Sequence, residues 1–248
     1  MIRIARQFAQ NWLRNSGIEV RKVPPAFEAL SVFCLAVEGR MAQRGDALRF
    51  VQIGANDGVV GDPLRSYILE RGWTGILVEP QPAVFAQLKA NYSECADRLV
   101  FENLAIGPSE TVPLYVPIQP VNRASNEAYG TGAASSNAAV TARQLNLAPK
   151  DLQRIDIPAI TLDKLFEKHG LAELDLLQID AEGFDWQVLK TLDLKRFRPA
   201  IIQLETGHLQ RPDLAAMAQA LNAADYVIYF GGWQGDTLAM RADTISGR

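Results

Sequence analysis

The chain predicts an α/β fold built on a mostly parallel sheet with helices on both faces. Two observations carry this. Short apolar runs alternate with helical segments from Leu48 to near the C-terminus, the pattern of strand–helix–strand units. Polar turns follow the runs, many with glycine, at Gly54–Gly58, Glu79, Asn103–Gly107, Asp180–Gly183 and Glu205–His208. In such sheets ligands bind outside the carboxyl ends of the strands, where the strand order reverses.

The elements follow in order. "KVPPAFEAL" interrupts a first helix at Pro24 and Pro25, and a second helix runs to about Arg44. "LRFVQI" is a buried strand. "DPLRSYILERG" is a helix with Asp62 as N-cap, Pro63 in its first turn and Gly72 as its stop. "TGILVEP" is a strand, "PAVFAQLKANY" a helix and "RLVFENLAIG" a third strand. "ETVPLYVPI" reads as a strand. The stretch 117–153 offers Ser, Asn, Gly and Ala with little periodicity and predicts an irregular loop, either a lid or a surface loop. Then come a strand and helix in "IDIPAITLDKLFEKHG", a strand in "ELDLLQID", a helix in "FDWQVLKTLD" and a strand in "PAIIQLET". "PDLAAMAQALNAA" is a helix, and "DYVIYF" and "DTLAMRA" are the last strands.

The 248 residues fit one such domain, 46–248, with an N-terminal helical extension, 1–45. A formal net charge of −3 provides no field toward nucleic acid or anionic lipid. Cys34 and Cys95 are far apart in sequence and lack His neighbours, so neither a disulfide framework nor a zinc site is expected, and a cytoplasmic location is. No apolar run is long enough to span a bilayer, and no signal peptide is read at the start. The first residues form an amphipathic pattern with Ile4, Phe8 and Trp12 on one face. That face either caps the main domain or makes a weak membrane-surface contact.

Gly54, Gly58 and Gly61 permit a sharp turn after the first strand. The middle position of a dinucleotide G-x-G-x-x-G is occupied by Asn56, which disfavours a pyrophosphate and suits a ligand with an amino-acid part. Glu79 ends the second strand roughly 20 residues or a little more past these glycines, where an acid binds both hydroxyls of a ribose. The pair specifies an adenosine-type ligand without choosing between a nicotinamide cofactor and S-adenosylmethionine (SAM). In "LLQIDAEGFD", Asp180 and Glu182 stand close together at a strand end. One carboxylate can bind the cofactor's amino group, one can take a proton from an attacking hydroxyl, or both can join Glu205 around a magnesium-type cation. Asp185 is free to cap the next helix. His208 follows a strand on the same edge and is a candidate base or substrate contact, whereas His169 suits a helix C-terminus.

"FVQIGANDG", "GILVEPQPAVFAQLKANY", "ENLAIG", "ITLDKLF", "LLQIDAEGFDWQVL" and "IIQLE" occur in this order with short spacers. The ordered set resembles the FkbM family of SAM-dependent methyltransferases over residues 48 to 206. The resemblance implies a Rossmann-like class I methyltransferase with a seven-stranded sheet whose last strand is antiparallel. It implies that Gly54, Ala55, Asn56, Asp57 and Gly58 cradle the methionine part of SAM. Glu79, beside Pro80, would bind the ribose, and Asn103, Leu104 and Ala105 would line the adenine. Asp180 and Glu182 would face the methyl group, with Asp180 or Glu182 as first choice of base and His208 as second. Family members typically methylate hydroxyl oxygens of glycans or secondary metabolites, leaving S-adenosylhomocysteine (SAH). A divalent cation at Asp180, Glu182 and Glu205 is a further option. The segment Tyr129–Asn137 either closes over the site or forms a disordered surface loop. The competing readings are a nicotinamide-dependent oxidoreductase and a non-catalytic binding module.

Overall fold

The computed structural model describes residues 32–119, 134–230 and 236–246. The expected helix with Ile4, Phe8 and Trp12 lies outside the described residues, as does most of Tyr129–Asn137.

Helix α1 (Val32–Arg44) leads into β1 (Arg49–Ile53), α2 (Arg65–Glu70), β2 (Thr74–Val78), α3 (Pro82–Asn91) and β3 (Leu99–Glu102). Next come β4 (Ala105–Ile106), β5 (Thr111–Pro117), α4 (Ala138–Leu145), β6 (Leu152–Ile160) and α5 (Leu162–Lys168). The chain continues with β7 (Leu176–Ile179), α6 (Asp185–Leu189), β8 (Ile201–Leu204), α7 (Arg211–Ala223), β9 (Tyr226–Phe230), β10 (Thr237–Arg241) and α8 (Ala242–Ser246). The main sheet has seven strands in the order β3-β2-β1-β7-β8-β10-β9, and β10 runs antiparallel to both its neighbours. A second sheet of three strands, β4-β6-β5, stands beside it.

The strands β1, β7 and β8 are buried over their last four residues, which explains their continuous apolar runs. One sheet face packs Phe50, Leu77, Leu176 and Ile201 against α1, α2 and α3. The other packs Val51, Ile76, Leu177 and Ile202 against α5, α6 and α7. Helix α1 buries Phe33, Val37 and Met41, one stripe at helical spacing, in the first of these cores. The described part of the 1–45 extension is thus continuous with the core of the domain.

Three expectations need correction. The single strand expected in "RLVFENLAIG" is two strands in different sheets. Asn103 turns the chain out by donating its side-chain amide to the carbonyls of Glu79 (2.8 Å) and Pro80 (3.2 Å). Asp62 is not the N-cap of α2, a position taken by Leu64. Its carboxylate is instead held by Gln52 Nε2 (3.0 Å), the Leu64 amide (2.8 Å) and the Tyr92 hydroxyl (2.7 Å). The stretch 117–153 is not irregular throughout, because α4 lies within it, N-capped by Asn137, whose side chain accepts from the Ala139 amide. Its buried Val140, Ala142 and Leu145 include an alanine and alternate with polar residues, which hid the helix from a periodicity search.

The chain leaves β1 toward β2 and β3 on one side and returns through β7 and β8 on the other. The order therefore reverses between β1 and β7, and the crevice opens at their carboxyl ends.

Candidate active site

A cavity of about 410 Å³ occupies that crevice. The turn after β1 forms its floor. Gly54 has φ +78°, and a Cβ there would lie 1.8 Å from the Asp180 carbonyl oxygen, so only glycine lets the β1 and β7 ends meet. Asn56 follows in the left-handed region, φ +49°, and its side-chain oxygen is buried without a hydrogen-bond partner among the described residues.

Glu79 ends β2 and is 4% exposed. Its Oε2 accepts the Asn56 amide at 3.0 Å and its Oε1 the Gln81 amide at 2.9 Å. These bonds tie the first two strand-end turns together, and the Gln81 side chain adds a further hydrogen bond to the carboxyl. Burial pushes the carboxyl up from 4.5 to about 7, against the pull of the two backbone amides.

Asp180 and Glu182 stand at the end of β7. Glu182 is held at φ +52°, and its carbonyl accepts the Ser135 hydroxyl at 2.7 Å. Asp185 is fully buried and accepts the amides of Ala181 (3.2 Å) and Gly183 (3.1 Å), so it braces this turn rather than capping α6. Burial raises the carboxyls of Asp180, Glu182, Asp185 and Glu205, and the neighbouring charges add to the rise at Asp180, Asp185 and Glu205.

Helix α4 covers this end. The Gln144 amide donates to Glu182 Oε2. Arg143 reaches His208 Nδ1 at 2.9 Å. A guanidinium only donates, so Nδ1 accepts, while Nε2 faces both Glu205 Oε1 at 3.2 Å and the Gln144 amide nitrogen at 3.1 Å. Burial, with the Arg143 charge, pulls the His208 pKa down. His169 lies elsewhere, its Nε2 2.7 Å from Glu102 Oε1.

The cavity wall includes Gly54, Ala55, Asn56, Glu79, Pro80, Leu104, Ala105, Asp180, Glu182, Glu205 and His208. Asp57, Gly58 and Asn103 do not reach it. Asp57 accepts the amides of Val59 and Val60, both at 2.9 Å, within its own turn. Gly58 lies against Tyr92 and Leu88, where a Cβ would come within 2.3 Å of the Tyr92 ring. Among the described residues, the group with metal-ligand spacing is Glu182, Glu205 and His208, their ligand atoms all within 4.8 Å of one another. Asp180, expected in that set, is outside it.

The sequence reading missed Gln52, Gln178, Gln203, Asp62, Gln144 and Asp236, all on the wall. A signal existed for the first three. "VQI", "LQI" and "IQL" each place a glutamine inside an apolar strand, two residues before a strand-end Gly, Asp or Glu.

The strand order, with β10 alone reversed, and an acid at the end of β2 beside a Gly-rich turn define a Rossmann-like class I methyltransferase fold. Residues 52–228 match the family model of the methyltransferase FkbM domain, and the chain belongs to that family. No curated protein matches the chain significantly. Among solved structures, an FkbM methyltransferase from Methylobacillus flagellatus KT aligns at 16% identity and TM-score 0.49, over 79% of this chain and 44% of that one. The chain thus spans less than half of that protein's length. The N-terminal domain of human METTL16 in complex with SAH aligns at 14% identity and TM-score 0.46, over 95% of this chain and 79% of that one. A human methyltransferase 10 domain containing protein aligns at 14% identity and TM-score 0.44, over 97% and 96%.

Proposed function

We propose that the chain transfers a methyl group from SAM to a hydroxyl of a sugar, glycan or secondary metabolite and releases SAH. The observation that carries this reading is Glu79, buried in the cavity wall at the end of β2, a carboxylate whose oxygens the Asn56 and Gln81 amides orient toward a ligand with hydroxyl donors. That is the arrangement a ribose needs. The rest of the wall suits the same ligand. Asp62, Glu79, Asp180, Glu182, Glu205 and Asp236 line the cavity, and no Lys or Arg does among the described residues. Such a wall favours a cation and disfavours phosphate, which also argues against a pyrophosphate cofactor or a nucleic-acid acceptor.

SAM, when bound, supplies an electrophilic methyl group on a sulfonium cation. The protein's task is alignment and proton removal. Asp180 and Glu182 flank the crevice on the β7 side, and their raised pKa values suit them to take the acceptor's hydroxyl proton. Gln144 and His208 hold Glu182 and Glu205 in place. Helix α4 contributes Gln144 and Leu145 to the wall at that end of the cavity. The Glu182–Glu205–His208 group is read as serving this proton transfer, with His208 Nε2 set against Glu205. Both described cysteines are free, and no helix among the described residues is long and apolar enough to cross a membrane. We read the protein as cytoplasmic.

Titration calorimetry with SAH and with NAD tests the reading. Micromolar or tighter binding of SAH is expected, with no heat from NAD. Binding of NAD alone would overturn it in favour of an oxidoreductase.

A further inference from the structure

The sheet face that carries Leu238 is open at its far edge. Cross-strand partners point the same way, so Val227 and Tyr229 on the edge strand β9 share that face with Met240 and Leu238 on β10. Leu238 is buried in the core beneath α1, whereas Val227 and Tyr229 are each 40% exposed. The opposite face of the same strands is closed, since Tyr226 and Ile228 pack with Met217 and Leu221 of α7. Beside the open strip a groove of about 190 Å³ runs between α1 and α8. Leu35, Ala36 and Gly39 of α1, Ile201 and Met240 of the sheet, and Ile245 of α8 line it. Leu35 and Ile245 are exposed, as is Val32 at the start of α1. A continuous apolar strip of this kind marks a contact surface.

The chain before Val32 is placed to fill it. Residues 1–31 lie outside the described residues, and α1 fixes where they join. Arg40 Nε donates to Asp175 at 2.8 Å and Arg44 to Glu173 at 3.1 Å, both just before β7. The last turn of α1 is thus at the amino ends of the parallel strands, and Val32 is toward the crevice. The groove runs from there along α1, 13 residues or roughly 20 Å. Pro24 and Pro25 fall within eight residues of Val32, and a connection that short sets successive helices antiparallel. Trp12 and Phe8 precede Pro24 by 12 and 16 residues, about 18 and 24 Å of helix, which matches the distance from Val32 to the α8 end of the groove.

We propose that the α1–α8 groove, with Val227 and Tyr229 beside it, is the docking surface for the chain's own segment 1–22, seated by its Phe8 and Trp12 face. A second copy or a lipid surface would meet the same side chains. A segment tethered this closely is present at an effective concentration of order millimolar, so it occupies the groove first. Seated there, it returns along α1 and shields the open strip of β9 and β10.

Hydrogen–deuterium exchange of the full chain tests this, read on peptides across residues 1–22. The comparison is with Leu35→Asp, which puts a charge on the exposed wall of the groove. Tyr229→Asp does the same on β9 should Leu35→Asp fail to fold. The expected result is exchange about tenfold faster across 4–14 in the variant, with β7 and β8 unchanged and both proteins monomeric by light scattering. Equal exchange across 1–22 in the wild type and both variants would overturn the docking. So would a wild-type dimer that Leu35→Asp splits into monomers, which assigns the surface to a second copy. Protection of 1–22 that arises only on adding anionic lipid vesicles would overturn it as well, in favour of a membrane contact.

Discussion

On the proposed function, Glu79 is the single side chain on which ligand binding depends most. An amide in its place keeps the shape but loses the charge that strengthens bonds to hydroxyl donors, and one end becomes a donor. Glu79→Gln is expected to weaken SAH binding roughly 30-fold or more, about 2 kcal/mol, by calorimetry. The ionised carboxylate is the form that accepts from a ribose, and its pKa in the free protein is about 7. Affinity should therefore fall as pH drops from 8 to 6, by roughly tenfold from this group, and Glu79→Gln should flatten that response. Glu182 makes a different demand. It keeps a left-handed backbone at φ +52° that costs a non-glycine residue roughly 1–3 kcal/mol. The Ser135 hydroxyl on its carbonyl and Asp185 behind the turn hold it there. Glu182→Gln is expected to lower labelled methyl transfer from SAM into a glycan and metabolite extract by about 100-fold, with SAH affinity unchanged. Unchanged transfer would move the proton-accepting role to Asp180.

At the scale of elements, the strands were legible because burial on both faces leaves an apolar run bounded by polar turns. Gly54, Glu79, Asp180 and Glu182 were legible for the same reason: each follows such a run. Gln52, Gln178 and Gln203 were not, because one glutamine in a strand carries no information until the register sets three side by side. The β3–β4 division was hidden as well, since "LVFENLAI" is apolar throughout except at Glu102 and Asn103, and it is Asn103 that pulls the chain aside. Asp62 was misjudged because its best partners, Gln52 and Tyr92, come from other elements. Helix α1 illustrates what tertiary packing adds to a weak local pattern. Its Phe33, Val37 and Met41 close one face of the sheet. Met41→Ala is expected to cost about 2–3 kcal/mol in urea unfolding; a cost near zero would mean that α1 is a detachable extension.

The whole molecule concentrates acids in one crevice, and this sets its response to pH. Glu79 is raised to about 7 and Asp236 to about 6 by burial, and Asp180, Glu182, Asp185 and Glu205 are raised as well. The unfolded chain titrates these groups at their ordinary, lower values, so between those values and the folded ones the native state binds more protons. Their contribution to stability is fully present below the unfolded pKa values and is lost as pH rises through the folded ones. The ligand-free protein should therefore unfold at a higher temperature at pH 6 than at pH 8, and saturating SAH should narrow the difference. A midpoint that rises from pH 6 to pH 8 would contradict this sign. The shared origin of these effects is the acid-lined cavity along the rim from β2 to β8, which the proposed function fills with an adenosine-bearing cation. A crystal structure with SAH tests that directly. The ribose hydroxyls are expected within hydrogen-bond distance of Glu79, with the sulfur beside the Asp180–Glu182 turn. An empty crevice at saturating SAH, or a ribose bound away from Glu79, would contradict it.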